Sequence, residues 1–197
     1  NGSDAFTPTG ALVKATLLNS AVDMTGVSGY PSNREGWGRV LADNSLFFDG
    51  DARVLQVAEA RHADGLSTGQ SVDIPVSVSG SSEDFRVTLV WTDPPASAGA
   101  GFAAINDLNL LVTSPSGQEY RGNVFSGGFS TTGGSYDDRN NVEQVHLASP
   151  ETGEWTVRVQ GAGVNVGTQG YAVAITAELG QSCLADFNND QQVDTQD

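Results

Sequence analysis

Hydrophobic and polar residues alternate with a period of two through most of this chain, and with a period of three to four only near its start. Arg86, Thr88 and Val90 interleave with Val87, Leu89 and Trp91, and Trp155, Val157 and Val159 interleave with Thr156, Arg158 and Gln160. Alternation of this kind sends successive side chains to opposite faces of a half-buried strand. It predicts strands over 53–58, 71–79, 85–92, 108–113, 142–148, 154–160 and 169–178, with Trp91 and Trp155 as core residues. Turn-forming clusters punctuate them: Ser79-Gly80-Ser81-Ser82, Ser114-Pro115-Ser116-Gly117, Pro150-Glu151-Thr152-Gly153 and the run from Gly161 to Gly167. Short strands in series without intervening helices predict a mainly β protein, an antiparallel jelly roll or related β-sandwich.

The first 50 residues follow a different rule. Leu12, Val13, Ala15, Thr16, Leu17, Leu18, Ala21 and Val22 recur at helical spacing, with Thr7 placed as N-cap, Pro8 in the first turn and Gly26 closing the region. Gly29-Tyr30-Pro31-Ser32-Asn33-Arg34-Glu35-Gly36-Trp37-Gly38-Arg39-Val40 then reads as a tight backbone path under a large ring, and 41–48 as a second short helix. Two helices and a loop cannot bury a core alone, so this segment must pack on something else.

Composition narrows the partners. Acidic residues outnumber Lys and Arg 24 to 9, a formal charge of −15, which disfavours nucleic acid and anionic membrane surfaces and favours cations. No apolar run approaches the roughly 20 residues of a membrane-spanning helix. Cys183 is the only cysteine, which leaves a free thiol or a bridge to sequence outside the chain.

Two sets of motifs together carry a family resemblance. The helix at 11–18 followed by Gly36-Trp37-Gly38-Arg39-Val40 resembles the end of the catalytic domain of subtilisin-family serine proteases (subtilases). Val90-Trp91-Thr92-Asp93-Pro94-Pro95, Asn106-Asp107-Leu108-Asn109-Leu110, Pro115-Ser116-Gly117, Gly122-Asn123 and Arg139-Asn140-Asn141-Val142-Glu143 resemble the P-domain-like jelly roll that follows it in alkaline subtilases. The resemblance runs over about residues 7–178. It implies three parts: residues 1–50 as the end of a catalytic α/β domain, 51–180 as the β-sandwich, and 181–197 as a linker and calcium loop.

A subtilase uses Asp, His and Ser in that order, with the Ser in a Gly-Thr-Ser type turn ahead of the helix near Pro8. Asn1-Gly2-Ser3 lacks that setting, and His62 and His146 fall in β-type sequence. The chain therefore reads as a C-terminal fragment with no catalytic residue of its own.

Calcium is the expected cofactor. Hard cations take six to eight oxygens from carboxylates, amides and carbonyls. The turns at one end of the predicted sandwich offer Asp93, Asn106, Asp107, Asp137, Asp138, Asn140, Asn141 and Glu143. Asp93 and Asp107 lead this set, followed by Asn141 and Glu143, and the resemblance adds that subtilase β-domains hold calcium near such loops. The competing reading is that these residues only make turns and cap backbone amides. In the tail, Asp186, Asn188, Asp190, Asp194 and Asp197 occupy positions 1, 3, 5, 9 and 12 of a calcium loop, with Gln192 at the carbonyl position. That spacing resembles the first loop of a dockerin-type repeat, departing from it at Gln191, where glycine is usual.

The expected function is thus part of a secreted, calcium-stabilised subtilisin-like serine endopeptidase. Its β-domain would support the catalytic portion of the same protease and help gather protein or peptide substrate. Two alternatives compete: a non-catalytic jelly-roll module for polysaccharide or surface attachment, which would need Tyr120, Phe125, Phe129 or Tyr136 as an exposed platform, and a purely adhesive β-domain.

Overall fold

The computed structural model describes residues 6–46, 48 and 50–180. One helix, α1 (Gly10–Asn19), precedes twelve strands: β1 (Ala21–Val22), β2 (Arg39–Val40), β3 (Val54–Ala60), β4 (Ser71–Val78), β5 (Phe85–Val90), β6 (Asn106–Thr113), β7 (Glu119–Arg121), β8 (Phe125–Ser126), β9 (Phe129–Ser130), β10 (Val142–Leu147), β11 (Gly153–Val164) and β12 (Tyr171–Ala177). Eight of them form two four-stranded antiparallel sheets, in the orders β10-β5-β12-β3 and β4-β11-β6-β7, while β1–β2 and β8–β9 are small ribbons. The protein is a mainly β, antiparallel jelly-roll sandwich with a short helix at its start.

The alternation in sequence becomes the core. Phe85, Val87, Leu89 and Trp91 face Leu108, Leu110, Val112, Trp155, Val157 and Val159 across the two sheets, together with Val173 and Ile175, all essentially inaccessible. Phe85 and Trp155 meet with ring centroids 4.9 Å apart, a pairing that adds about 0.5–1.5 kcal/mol beyond the area it buries. Trp91 Nε1 donates to the Asn106 carbonyl and Trp155 Nε1 to that of Glu151, so both indoles are buried without an orphaned donor.

Strands β5 and β12 are buried on both faces, a feature alternation alone does not announce. The second face is covered by α1, whose Ala11, Leu12 and Ala15 pack on Val90, Val142, Ala172 and Ala174, flanked by Leu18, Trp37, Leu55 and Val57. Small residues on both sides let the helix lie close to the sheet, and the fold is locally three layers deep.

The first 50 residues differ from expectation in several details. Thr9, not Thr7, is the N-cap: its Oγ1 accepts from the Leu12 N–H at 3.1 Å. The same hydroxyl and the Thr9 N–H both donate to Glu59 Oε2, so a contact to β3 selects which threonine caps. The helix stops at Asn19, and Ala21–Val22 pair with Arg39–Val40 instead of continuing it. The expected helix over 41–48 contracts to a single 3-10 turn at Ala42–Asn44. Gly38, at φ +85°, turns under the Tyr30 ring, and a Cβ there would strike the Val22 carbonyl. The Trp37 ring instead meets Phe125 edge-on, with centroids 6.2 Å apart.

The connection at 96–104 runs over the surface, and the Gly- and Ser-rich stretch 126–135 includes most of the β8–β9 hairpin, turned by Gly127 and Gly128.

Candidate functional site

The motif residues gather where β6 begins and β7 ends. A bulge in β11 between Gly161 and Gly163 adjusts its register beside Asp107. Strand alternation then sets Asp107 and Asn109 on the face of β6 opposite Leu108 and Leu110. Across the edge, Glu143 of β10 reaches over to β6, where its Oε2 accepts from the Leu110 N–H at 2.7 Å. Gly122 leaves the space this carboxylate occupies, since a Cβ there would overlap it.

Glu143 is fully buried, and its Oε1 has no hydrogen-bond partner among the described residues. Burial lifts its pKa well above the ordinary carboxylate range, partly offset by the Leu110 N–H and reinforced by the charges of Asp137 and Asp107. Burial also raises Asp107, with Asp138 and Asp137 adding to the effect. Asn109 is 8% exposed, and its Oδ1 is likewise buried without a partner among the described residues. Two orphaned oxygen acceptors thus lie near the carboxylates of Asp107 and Asp137, with Asp138 paired to Arg139 at 3.7 Å.

Asp137 is held differently. Burial opposes its charge, but donors from the Asn140 and Asn123 side chains and from the Arg139 and Asn140 main chain outweigh that, so its pKa falls below the usual value. Asn123, the one non-glycine residue with positive φ among the described residues, donates to Asp137 Oδ2 at 2.6 Å and to the Val142 carbonyl at 2.8 Å. It also accepts the Gln144 N–H at 3.0 Å, which ties the 131–141 loop to β10.

The other two leading residues have structural duties. Asp93 accepts the N–H groups of Ile105 and Asn106, one on each oxygen and both at 2.8 Å, clamping the start of β6. Asn141 donates its side-chain amide to the Trp91 carbonyl, and its own carbonyl accepts the Trp91 N–H. Asn106 is buried with both ends of its amide satisfied by Val166, Gln169 and Asn165. For these three the turn-and-cap reading describes the observed bonds. Among the described residues no three His, Cys, Asp or Glu side chains converge closely enough to hold a metal as they stand. Asp186, Asn188, Asp190, Asp194, Asp197 and Cys183 lie outside the described residues.

Within Asn106-Asp107-Leu108-Asn109 residue type alone does not single out Asn109, whose unpartnered Oδ1 emerges only in the folded chain. The period-two pattern did carry the signal, since it places Asn109 beside Asp107. His62 falls not in a strand but in the 3-10 turn His62–Asp64, while His146 is on β10.

A second feature lies on the helix. Helix α1 buries Ala11, Leu12 and Ala15 against the sheet yet leaves Val13 and Leu17 nearly half exposed on its far side. Phe6, Met24, Val40, Leu46 and Phe48 are exposed nearby in sequence, so seven of the twelve exposed large hydrophobic residues among those described fall before residue 50.

With this geometry in hand, comparison with known proteins gives a direction. This chain is similar to a part of three serine-protease-named proteins. Relatives from Dictyostelium discoideum named serine protease/ABC transporter B family proteins tagA, tagB and tagD are 28%, 28% and 26% identical to it, over 97%, 91% and 93% of its length. The chain spans only 12–13% of the length of these curated relatives. No family model matches it. Among solved structures, the P-domain of Penaeus vannamei nodavirus aligns with 62% of this chain and 96% of its own, at 14% identity and a TM-score of 0.25, a likeness too slight to carry argument.

Among the described residues no helix is long and apolar enough to cross a membrane. The exposed aromatic rings do not form an open platform. Arg139 lies over Phe102 at 5.2 Å, Arg121 over Tyr136 at 5.0 Å, and Phe129 packs on His146 at 4.7 Å.

Proposed function

We propose that this chain is the C-terminal part of a secreted, calcium-stabilised subtilisin-like serine endopeptidase, whose β-sandwich buttresses the catalytic portion. One observation carries the reading: α1 buries one side on the sandwich and still exposes Val13 and Leu17, beside Lys14, on the other. Apolar side chains left exposed in a group mark a surface for a second body. The serine-protease names of the relatives, and their much greater length, support a catalytic portion of the same protein as the second body.

Catalysis would belong to that portion. The family mechanism is acyl transfer by a Ser activated by His and oriented by Asp, with donors around the oxyanion. The residues of this chain would hold the last helix of that domain in place through Thr9–Glu59 and the α1–sheet contact, and would extend the surface that meets protein substrate.

Calcium would stabilise the arrangement. Asp107, Asn109, Asp137 and Glu143 fit the ion best, because the two orphaned oxygens belong to this set and three of its four members are carboxylates. These side chains would have to rearrange to enter one coordination shell. The dockerin-like tail, with Asp186, Asn188, Asp190, Asp194 and Asp197, is proposed as a separate calcium loop. An ion bound only by the folded chain raises its stability by mass action. The test is the melting temperature of the chain in calcium and in chelator: a rise with calcium supports the site, and identical melts remove it.

A further inference from the structure

We propose that Asp84, Arg86 and His146 form an acid-sensitive joint that fastens the end of α1 and the following strand to the sandwich and loosens them on acidification. The inference goes beyond the protease reading and does not depend on it.

The joint is built around a buried arginine. Arg86, 6% exposed, sends Nη1 to the carbonyls of Asn19, at 2.9 Å, and of Ala21. Asn19 is the last residue of α1, where helix carbonyls lack intrahelical partners and the dipole favours positive charge. The Asn19 side chain adds two further ties: its amide donates to Thr176 Oγ1 at 2.9 Å, and its Oδ1 accepts from Thr88 at 2.8 Å. The guanidinium and the Asn19 amide therefore hold the helix end to the sandwich, together with a longer bond from Gln144 Nε2 to the Leu18 carbonyl at 3.5 Å.

Against this guanidinium stands His146. Arg86 Nη2 lies 3.0 Å from His146 Nε2 and 3.4 Å from Nδ1, and Asp84 Oδ2 lies 2.9 Å from Nε2. The ring is otherwise enclosed by Phe129 and the main chain of Gly128 in the β8–β9 hairpin. Further charged and titratable groups facing Arg86 are Tyr30 and Arg53, with Asp23 and Glu35 beyond Tyr30. A small polar cavity lined by Asn19, Asn44, Arg53, Asp84, Arg86 and Thr176 reaches the same place, so water and protons have access.

Neutral His146 can donate from Nε2 to Asp84 while the guanidinium lies over it. Charged His146 would set two cations about 3 Å apart in a buried site with one half-exposed carboxylate between them. Burial lowers the imidazole pKa and Arg86 lowers it further, and together they outweigh the opposing pull of Asp84 and of the hydrogen bond to the Gly128 main chain. The Asp84 carboxyl is held below its ordinary value by its bond to His146, so it remains charged while the imidazole titrates. Because the folded ring titrates below its unfolded value, the neutral form is the one the fold favours. Its contribution is complete above about pH 6.5 and is lost as the pH falls through that value towards the folded one.

The test is hydrogen exchange of the 197-residue chain at pH 7.5 and 5.5, corrected for intrinsic rates, beside His146→Gln, which cannot charge. The expected result is a selective loss of protection over residues 13–22 on acidification, reaching at most about tenfold at pH 5.5, one unit below the ordinary imidazole value, with β11 amides unaffected. In His146→Gln that selective loss should vanish. Equal acid sensitivity in both proteins, or none in the parent, would overturn the proposal. A proton NMR titration of His146 in the parent decides the matter even if the variant fails to fold: a midpoint below 6.5 is required, and one at or above it contradicts the joint.

Discussion

Glu143 is a carboxylic acid placed where a folded protein tolerates one only with a partner, and one of its two oxygens has none among the described residues. Removing its charge separates two roles. Glu143→Gln should melt no lower than the parent in chelator, because the buried charge is gone, but should lose most of the rise that calcium gives the parent; calorimetry with and without the ion reads both. Gly38 makes a steric prediction. Gly38→Ala forces a Cβ into the Val22 carbonyl at positive φ, so a loss of about 1–3 kcal/mol is expected in urea unfolding. Sequence alone identified Asp107 and Glu143 as candidates through residue type and neighbourhood. It could not show that Asp93 spends its oxygens on two backbone amides, because that depends on where β6 starts relative to a distant turn.

Among the elements, the strands were readable because each buries one face against the opposite sheet, and period two is the direct record of that burial. Their ends were less so: β11 runs to Val164 because a bulge at Gly161–Gly163 lets pairing continue past glycines that look like a turn. The helix was readable in type but not in limits. Spacing places the cap at Thr7, whereas Glu59, fifty residues away, helps to select Thr9. Thr9→Ala should therefore lower stability by about 0.5–2 kcal/mol, while Thr7→Ala should be near neutral, as denaturant midpoints would show. The region 41–48 failed as a helix because Leu41, Leu46 and Phe48 have no apolar face to share, and two of these remain exposed. In the sandwich, Leu89→Ala removes a wholly inaccessible side chain between the sheets and should cost about 2–5 kcal/mol.

For the whole molecule, the question is why a sandwich with a complete core carries a further layer that is only half covered. Residues 51–180 bury the apolar faces between the two sheets, and α1 covers the outer apolar face of β5 and β12 while presenting Val13 and Leu17 outward. A surface of that kind at the start of a chain similar to part of far longer serine-protease-named proteins fits a junction between two bodies. The β-sandwich was legible because a core repeats its pattern in every strand, whereas the junction was legible only through Gly36-Trp37-Gly38 and the helix before it. The measurement that tests this most directly is made on the full-length product. A fluorophosphonate probe labels the active serine, and the partner of this chain is followed in the parent and in a Val13→Lys, Leu17→Lys variant after limited proteolysis between the two parts. The account predicts a labelled polypeptide that stays bound to this chain in the parent and separates from it in the variant. A labelled polypeptide indifferent to those substitutions, or no labelled polypeptide at all, would contradict it.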